Sequence, residues 1–312
     1  MYERWRQSSR ECLKGASSCN DFFQIDKFEN QNFPIKVPLE FANLINKDDP
    51  QDPLLRQVIN LTPNAKIGFN DTPFEDEKYS PVEGLIHKYS SRVLLITSRV
   101  CAIHCQYCFR QNFDYEGHDA VSNWNSIRQY IKDNTQINEV ILSGGDPLSL
   151  SDEKIKWLVH EIEKISHIDT IRIHTRAGVV IPSRITNHLA DNLNNSTLNV
   201  VLVFHINHAN ELTNEFKKSL TKLRKLTLLN QSVLLKGVND NKESLVDLSI
   251  KLFSYGILPY YLHLLDKVSG SEHFLVSDDY AIKLHSYMKQ TLSGYLVPRL
   301  VRDENGEFKS WV

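Results

Sequence analysis

The feature that most constrains the fold is a regular alternation of short apolar segments with longer amphipathic segments from Arg92 onward. The apolar segments have the composition of buried strands. Six strands are predicted, at 93–96, 140–142, 171–173, 200–204, 227–231 and 257–262. Strands that alternate with helices form parallel sheets through right-handed crossovers. The pattern therefore predicts an α/β fold in which six βα units form a partial (βα)6 barrel.

The segments between these strands have helical periodicity. After Ser151, the apolar residues Ile155, Leu158, Val159 and Ile162 recur with a 3.6-residue period. In a barrel of this kind the reacting groups lie at the carboxyl ends of the strands. Residues that follow the predicted strands are therefore the first candidates for a functional site.

The repeat accounts for residues 86–265, which we predict to be the core of the protein. Residues 1–85 are predicted to be a mixed, partly helical accessory region, and residues 266–312 a short closing segment rather than another βα unit. Two roles are open for the accessory region. It could cover the barrel, or it could supply a contact that makes the protein a homo-oligomer.

Composition and charge give no support for several classes of protein. The 312 residues carry a formal net charge of -2, which gives no electrostatic footprint for nucleic acid or an anionic membrane. The N-terminal residues lack the apolar core of a signal peptide, and no apolar run approaches the length of a membrane span. With only five cysteines, three of them within eight residues, we expect a cytoplasmic protein without disulfides.

The three clustered cysteines follow the first predicted strand. They are Cys101, Cys105 and Cys108, with the spacing CxxxCxxC. Three thiolates on one loop can bind three irons of a [4Fe-4S] cluster and leave the fourth iron open for chemistry. A structural zinc site normally has four protein ligands, so the alternative is a zinc knuckle completed by His104 or by a distant side chain.

A second motif follows the second predicted strand, where residues 143–147 read SGGDP. Gly144 and Gly145 allow the backbone to pass close to a ligand. The alternative is a turn without a binding role. Because both motifs come at strand ends, we expect them to meet at one mouth of the barrel.

Together these motifs resemble the radical S-adenosylmethionine (SAM) superfamily, in which an aromatic residue such as Tyr107 commonly precedes the last cysteine. The resemblance narrows to the lysine 2,3-aminomutase family, and within it to the short members that make β-lysine for modification of elongation factor P. It extends from about Asp49 to the C-terminus. Seven segments carry it, namely CQYCFRQ from 105, LSGGDPL from 142, RIHTR from 172, HINHANE from 205, LNQSVLLKGVND from 229, PYYLHLLDKV from 259 and SGYLVPRL from 293.

The resemblance implies three cofactors: a [4Fe-4S] cluster, SAM and pyridoxal 5'-phosphate (PLP). The residues implied to hold SAM are Gly144, Gly145, Asp146, Arg176 and His205. The residues implied to hold PLP are Lys309 as its covalent partner, Gln231 as a polar contact, and Arg92 and Tyr89 near its phosphate. For several of these the alternatives are structural: a solvated tail lysine at 309, a barrel-bottom ion pair at 92 and a packed core histidine at 205.

The same resemblance implies a lysine-binding site. Arg110 matches the residue that binds the lysine carboxylate, and Asp266 and Asp303 match the acids that bind its side-chain ammonium. For each of the two acids the alternative is a solvated loop residue or a helix cap. The implied partners are a one-electron reductant such as flavodoxin or ferredoxin, and, functionally, elongation factor P and its lysyl ligase. Two other functions stay open, an aminomutase for another amino acid and a non-catalytic metal-binding module.

Overall fold

The computed structural model describes residues 4–25, 28–29, 33–60, 68–71, 76–112, 119–303 and 310–312. Two strands near the N-terminus form a small antiparallel sheet, Cys12–Lys14 (β1) and Lys36–Pro38 (β2). The main sheet has nine strands in these ranges: Leu85–Tyr89 (β3), Arg92–Ser98 (β4), Glu139–Gly144 (β5), Thr170–Thr175 (β6), Asn199–His205 (β7), Thr227–Val233 (β8), Leu258–His263 (β9), Arg299–Arg302 (β10) and Ser310–Trp311 (β11).

The α-helices of the described residues are Arg4–Arg10 (α1), Gly15–Phe23 (α2), Leu39–Ala42 (α3), Pro53–Val58 (α4), Trp124–Asp133 (α5), Asp152–Glu163 (α6), Ala177–Val180 (α7), Asn187–Asn194 (α8), Asn214–Leu220 (α9), Lys242–Ser254 (α10) and Asp278–Thr291 (α11). None of these helices has the length and apolar character that a membrane crossing requires. The helix predicted after Ser151 is α6. The Ser151 hydroxyl caps it by accepting from the Lys154 amide.

The strands of the main sheet follow one another in chain order. Strands β4 to β10 are all parallel, and β3 and β11 add antiparallel at the two edges. Each of the six predicted strands is present, either longer by two or three residues or shifted by one. Among the described residues no ladder of hydrogen bonds joins β3 to β11, so the sheet is open. The predicted α/β fold with a partial barrel is confirmed.

The C-terminal segment differs from the prediction. Helix α11 follows β9, and β10 then pairs parallel with β9, with Val301 opposite His263. Residues 266–312 therefore contain the helix of the sixth βα unit and a seventh parallel strand, neither of which the predicted closing segment included. The physical reason is that β10 is only four residues long and has arginine at both ends. So short a segment lacks the apolar run that marked the other strands.

The accessory region shares its core with the barrel. Trp5 and Phe41 belong to the same buried cluster as Leu142 of β5. The Trp5 ring also stacks on the buried guanidinium of Arg184, 4.4 Å from the ring centroid, and that guanidinium pairs with Asp152 at 2.7 Å. The N-terminal residues thus fold onto the barrel. The divisions near residues 85 and 265 stay predictions.

Candidate active site

Two loops meet at the carboxyl ends of β4 and β5. The loop after β4 carries the three cysteines, and of the two glycines Gly144 ends β5 and Gly145 begins the loop after it. The Gly145 amide donates to the Ser98 carbonyl at 2.7 Å, and the Asp146 amide donates to the Val100 carbonyl at 3.0 Å. These bonds fix the glycine turn against the residues immediately before Cys101. The predicted meeting of the two motifs is therefore observed.

Only glycine fits this turn. Gly144 has a φ of +111°, which side-chain-bearing residues rarely adopt. A Cβ on Gly144 would lie 2.8 Å from the Ser98 carbonyl oxygen, and one on Gly145 would lie 2.8 Å from the Val100 carbonyl oxygen. Both obstacles are backbone atoms, so neither can move without displacing the start of the cysteine loop.

We expect Gly145→Ala to displace the cysteine loop and to reduce iron incorporation several-fold. The same overpacking should destabilise the fold by about 1–3 kcal/mol. Gly294→Ala is the matched control, because a Cβ there meets no atom within 4 Å. Iron and sulfide content after reconstitution, with thermal unfolding of both variants, tests this. Wild-type iron content in Gly145→Ala would contradict the tight packing of the two loops.

The Asp146 carboxylate is engaged by the protein itself. It accepts from the amides of Leu148 at 2.9 Å, Arg176 at 2.7 Å and Ala177 at 2.7 Å, and from the Thr175 hydroxyl at 2.7 Å. These bonds join the turn after β5 to the end of β6. The side chain therefore shapes the glycine turn, and its contact with SAM stays a prediction.

The cysteine thiols lie in a partly buried loop in which they repel one another once deprotonated. Burial raises the pKa of Cys101 well above its usual value, and the nearby Asp146, Cys108 and Cys105 add to the rise. Burial and Cys105 raise the pKa of Cys108 to about 12. Burial and mutual repulsion therefore oppose the thiolate forms of Cys101 and Cys108, and the positive charge of bound irons would offset this cost. The donor set therefore fits a [4Fe-4S] cluster.

The zinc alternative has less support. The His104 Nδ1 atom lies 2.8 Å from the Pro34 carbonyl oxygen and the ring stacks on Phe33, so zinc would have to bind through Nε2. Across the described ranges, no three side chains of histidine, cysteine, aspartate or glutamate form a group suited to a single metal ion. Ligands of a four-iron cluster each bind a different iron, so they need not converge on one point.

The accessory region holds the cysteine loop in place, which sequence reasoning missed. Lys36 donates from Nζ to the Cys101 carbonyl at 2.6 Å, and the His104 amide donates to the Lys36 carbonyl at 2.9 Å. On the other side, the Gln106 amide donates to the Gln57 carbonyl of α4 at 2.9 Å. Nothing in the spacing of residues 1–85 marked these positions, because their role depends on tertiary packing.

His205 lies at the end of β7 in a buried network. Burial, together with the Arg176 charge, lowers the pKa of His205 to about 3, so the imidazole is neutral. The Tyr107 hydroxyl accepts from Arg176 Nη1 at 2.6 Å and from Asn207 Nδ2 at 2.7 Å. Its own proton has two acceptors in reach, His205 Nε2 at 2.9 Å and Gln57 Oε1 at 3.4 Å. The shorter contact favours the histidine, with its ring proton on Nδ1.

The predicted lysine-binding residues lie near the cysteine loop. The pKa of Cys108, raised mainly by burial, is lowered by the Arg110 charge and raised by Asp266, so both charges are close to that thiol. Asp303 follows β10, and its carboxylate lies 3.8 Å from Nδ1 of His263 at the end of β9. The two acids thus follow neighbouring parallel strands. One cationic and two anionic side chains border the same mouth of the barrel.

A hydrogen bond joins the two loops that carry these charges. Gln111, the residue after Arg110, donates from Nε2 to the Ser269 carbonyl in the loop that follows Asp266. The Gln111 amide also donates to the Cys108 carbonyl at 3.2 Å. Arg110 and Asp266 are therefore held on two loops that are fixed to each other.

The predicted PLP residues lie lower in the barrel. Arg92 begins β4, and its guanidinium lies 3.7 Å above the centroid of the Tyr89 ring. The ion pair in this layer is formed by Arg172 and Glu139, which are 2.8 Å apart, while Glu139 lies opposite Arg92 in the sheet register. Both roles of Arg92, in a barrel-bottom ion pair or near the PLP phosphate, stay predictions.

Gln231 lies on β8 in register with His205 on β7 and Tyr261 on β9. Because β-strand side chains alternate, and Phe204 packs in the outer core, His205 and its neighbours in register face the barrel interior. Burial raises the pKa of Tyr261, and the charges of Arg172 and Arg92 oppose that rise. Both charges therefore lie near the Tyr261 ring. Lys309 lies outside the described residues.

Comparisons with known proteins agree with this geometry. The family model of the radical SAM superfamily matches residues 95–248, which begin at β4 and contain the three cysteines and the glycine turn. A radical SAM methyltransferase from Sphaerobacter thermophilus has a similar fold, with a TM-score of 0.51 and 14% identity over 71% of this chain and 69% of that chain. The fold and the cysteine loop define the class as radical SAM.

The closer similarities are to L-lysine 2,3-aminomutases. The Escherichia coli (strain K12) protein is 46% identical over 88% of this chain and 82% of its own length. The Haemophilus influenzae protein is 44% identical over 95% of this chain and 89% of its own length. The Clostridium subterminale protein is 32% identical over 97% of this chain and 76% of its own length. The chain belongs to the L-lysine 2,3-aminomutase family of radical SAM enzymes.

Proposed function

We propose that this protein converts L-lysine to β-lysine by moving the amino group from the α to the β carbon through a radical route. The observation that carries the proposal is the set of charges around the cysteine loop. Arg110 and Asp266 both act on Cys108, and Asp303 follows the strand next to the one that precedes Asp266. A substrate with a carboxylate at one end and an ammonium at the other complements this set.

The two ends of lysine would have different partners. Arg110 presents a planar guanidinium, which suits bidentate binding of the substrate carboxylate. Asp266 and Asp303 would bind the side-chain ammonium. A neutral or shorter side chain would leave these carboxylates without a cationic partner, which disfavours its binding. The pair also argues against glutamate as the substrate.

The residues that would hold the cofactors line the barrel from its mouth inward. A [4Fe-4S] cluster on Cys101, Cys105 and Cys108 would supply the electron that cleaves SAM, and PLP would hold the migrating amino group in a form that stabilises a neighbouring radical. Gly144, Gly145, Asp146, Arg176 and His205 are proposed to bind or border SAM. Lys309, Gln231, Arg92 and Tyr89 are proposed to bind PLP. The chain's own task is to fix these groups and to exclude water.

We propose further that the protein acts in the cytoplasm, takes its electron from a flavodoxin or ferredoxin, and provides β-lysine for attachment to elongation factor P. This link is supported by the motifs shared with the short family members. The core shared by the accessory region and the barrel supports the covering role proposed for residues 1–85.

The proposal is tested by anaerobic incubation of the iron-reconstituted protein with L-lysine, SAM, dithionite and PLP, with β-lysine followed by chiral chromatography and mass detection. A parallel reaction omits PLP. We expect β-lysine only when PLP is present. SAM cleavage without β-lysine would overturn the substrate, and an intact cluster that cleaves no SAM would overturn the enzymatic function.

A further inference from the structure

A buried polar cluster lies directly beneath the cysteine loop. It consists of six side chains, which we call the Arg176 network: Gln57, Tyr107, Arg176, His205, Asn207 and Glu211. The side chains of Gln57, Asn207 and Glu211 are fully buried, and Arg176 is only 6% exposed. Burying so many polar groups is costly unless each has a role or a partner.

The Arg176 guanidinium is at the centre of this network. Its Nη1 atom donates to the Cys105 sulfur at 2.7 Å and to the Tyr107 hydroxyl at 2.6 Å. Its Nη2 atom donates to Gln57 Oε1 at 2.7 Å and to Glu211 Oε2 at 3.0 Å. All four Nη hydrogens therefore have partners in the protein. One of those partners is Cys105, a proposed ligand of the [4Fe-4S] cluster.

Two side chains hold the guanidinium through Nη2, the nitrogen that does not contact the cysteine. Glu211 is itself held, because its Oε1 accepts from the amides of Asn207 at 2.9 Å and His208 at 3.0 Å. Gln57 Oε1 accepts a second bond from Asn207 Nδ2 at 3.0 Å. Neither acceptor can turn away without leaving a buried donor unpaired.

Gln57 comes from α4 in the accessory region, and this helix also contacts the cysteine loop through its backbone. The Gln106 amide donates to the Gln57 carbonyl at 2.9 Å, and Gln106 Nε2 donates to the Val58 carbonyl at 3.3 Å. One short helix therefore holds both the loop with the cysteines and the arginine that contacts one of them.

We propose that Arg176 raises the reduction potential of the [4Fe-4S] cluster by donating a charge-assisted hydrogen bond to the Cys105 sulfur. Gln57 and Glu211 position Arg176 for this purpose. The inference rests on the proposed function, since it requires a cluster on Cys105. Reduction adds one electron, taken from the external reductant, and so adds negative charge to the cluster. A fixed cation at a ligand sulfur stabilises that reduced state.

The potential of the cluster in the absence of SAM is the direct measurement. Reconstituted protein is titrated anaerobically with a mediated low-potential reductant, and the EPR signal of the one-electron-reduced cluster is followed. The main variant is Arg176→Gln with Glu211→Gln, which avoids leaving a fully buried carboxylate without its cation. The double variant removes one positive and one negative charge. Because the positive charge of Arg176 contacts Cys105 and the negative charge of Glu211 does not, the variant should still disfavour reduction of the [4Fe-4S] cluster.

We expect the double variant to lower the equilibrium constant for reduction at least tenfold, which is about 59 mV for a one-electron couple. Gln57→Leu changes no charge. Because it loosens Arg176, it should lower the equilibrium constant for reduction about threefold. Gln129→Leu, at an exposed position of α5, is the matched control and should leave the midpoint unchanged.

A midpoint equal to that of the wild type in the double variant, with the reduced-cluster signal present, would overturn the inference. If the double variant takes up no cluster, an unshifted Gln57→Leu would overturn it. A role for Arg176 in folding alone would change stability without changing the potential. Failure of the proposed function has a different signature, because the wild-type protein itself would then lack the cluster signal or form no β-lysine.

Discussion

Replacing Cys105 with serine is expected to abolish the cluster and all SAM cleavage. Cys105 lies in the middle of the ligand set, and its sulfur is the one that Arg176 contacts. Serine keeps the size of the side chain but offers a hydroxyl that is not deprotonated near neutral pH and that binds iron poorly compared with a thiolate. We expect iron to fall from about four per chain to background, and SAM cleavage to fall by at least about a thousandfold.

Cys12→Ser is the matched control. Cys12 is a free, part-buried cysteine of β1 whose thiol donates to the Ser9 carbonyl, and the hydroxyl of serine can keep that bond. Iron content, the visible absorbance of the cluster and 5'-deoxyadenosine formation should then match the wild type. Equal SAM cleavage in Cys105→Ser and Cys12→Ser would reject the assignment of the cluster to this loop.

Much of the fold followed from the sequence because buried parallel strands have a distinct composition. The six predicted strands are apolar runs with helical segments between them, and each is present in the sheet. The exception is β10, where Leu300 and Val301 are the apolar centre of a strand that has an arginine at each end. Its neighbour β9 provides the pairing that a pattern of four residues cannot reveal.

The site was predictable to the extent that its residues follow strands in short motifs. Gly145 and Cys101 come after neighbouring strands, so parallel pairing brings them together. Glu211 was within reach as well, since it ends the HINHANE segment and forms a capping box with His208, but its pairing with Arg176 depends on the tertiary fold.

Gln57 had no signal of any kind. A glutamine inside a short amphipathic helix is ordinarily a solvated residue. Here it is fully buried because α4 packs on the cysteine loop, and its amide satisfies donors from Arg176 and Asn207. Long-range polar contacts of this kind leave no periodic trace in the chain, which is why the role of the accessory region could not be read from it.

The second large effect is expected at the substrate site, where Asp266→Asn should lower kcat/KM for lysine by about 10²–10³-fold. Asparagine keeps the shape of the side chain but removes the charge that the lysine ammonium would pair with. Breaking such a pair on one side costs about 3–5 kcal/mol where it is buried, and Asp266 is part-buried, so the lower half of that range applies.

The loss should depend on the ammonium of the substrate, which separates binding from folding. Norleucine has no side-chain charge, so the preference of the wild type for lysine over norleucine should shrink in Asp266→Asn by the same factor by which kcat/KM for lysine falls. Asp279→Asn, at an exposed position of α11, should leave both values unchanged. Cluster content and SAM cleavage without substrate should stay at the wild-type level in both variants. A full preference for lysine in Asp266→Asn would mean that Asp303 alone binds the ammonium, because it is the other acid that follows this pair of parallel strands.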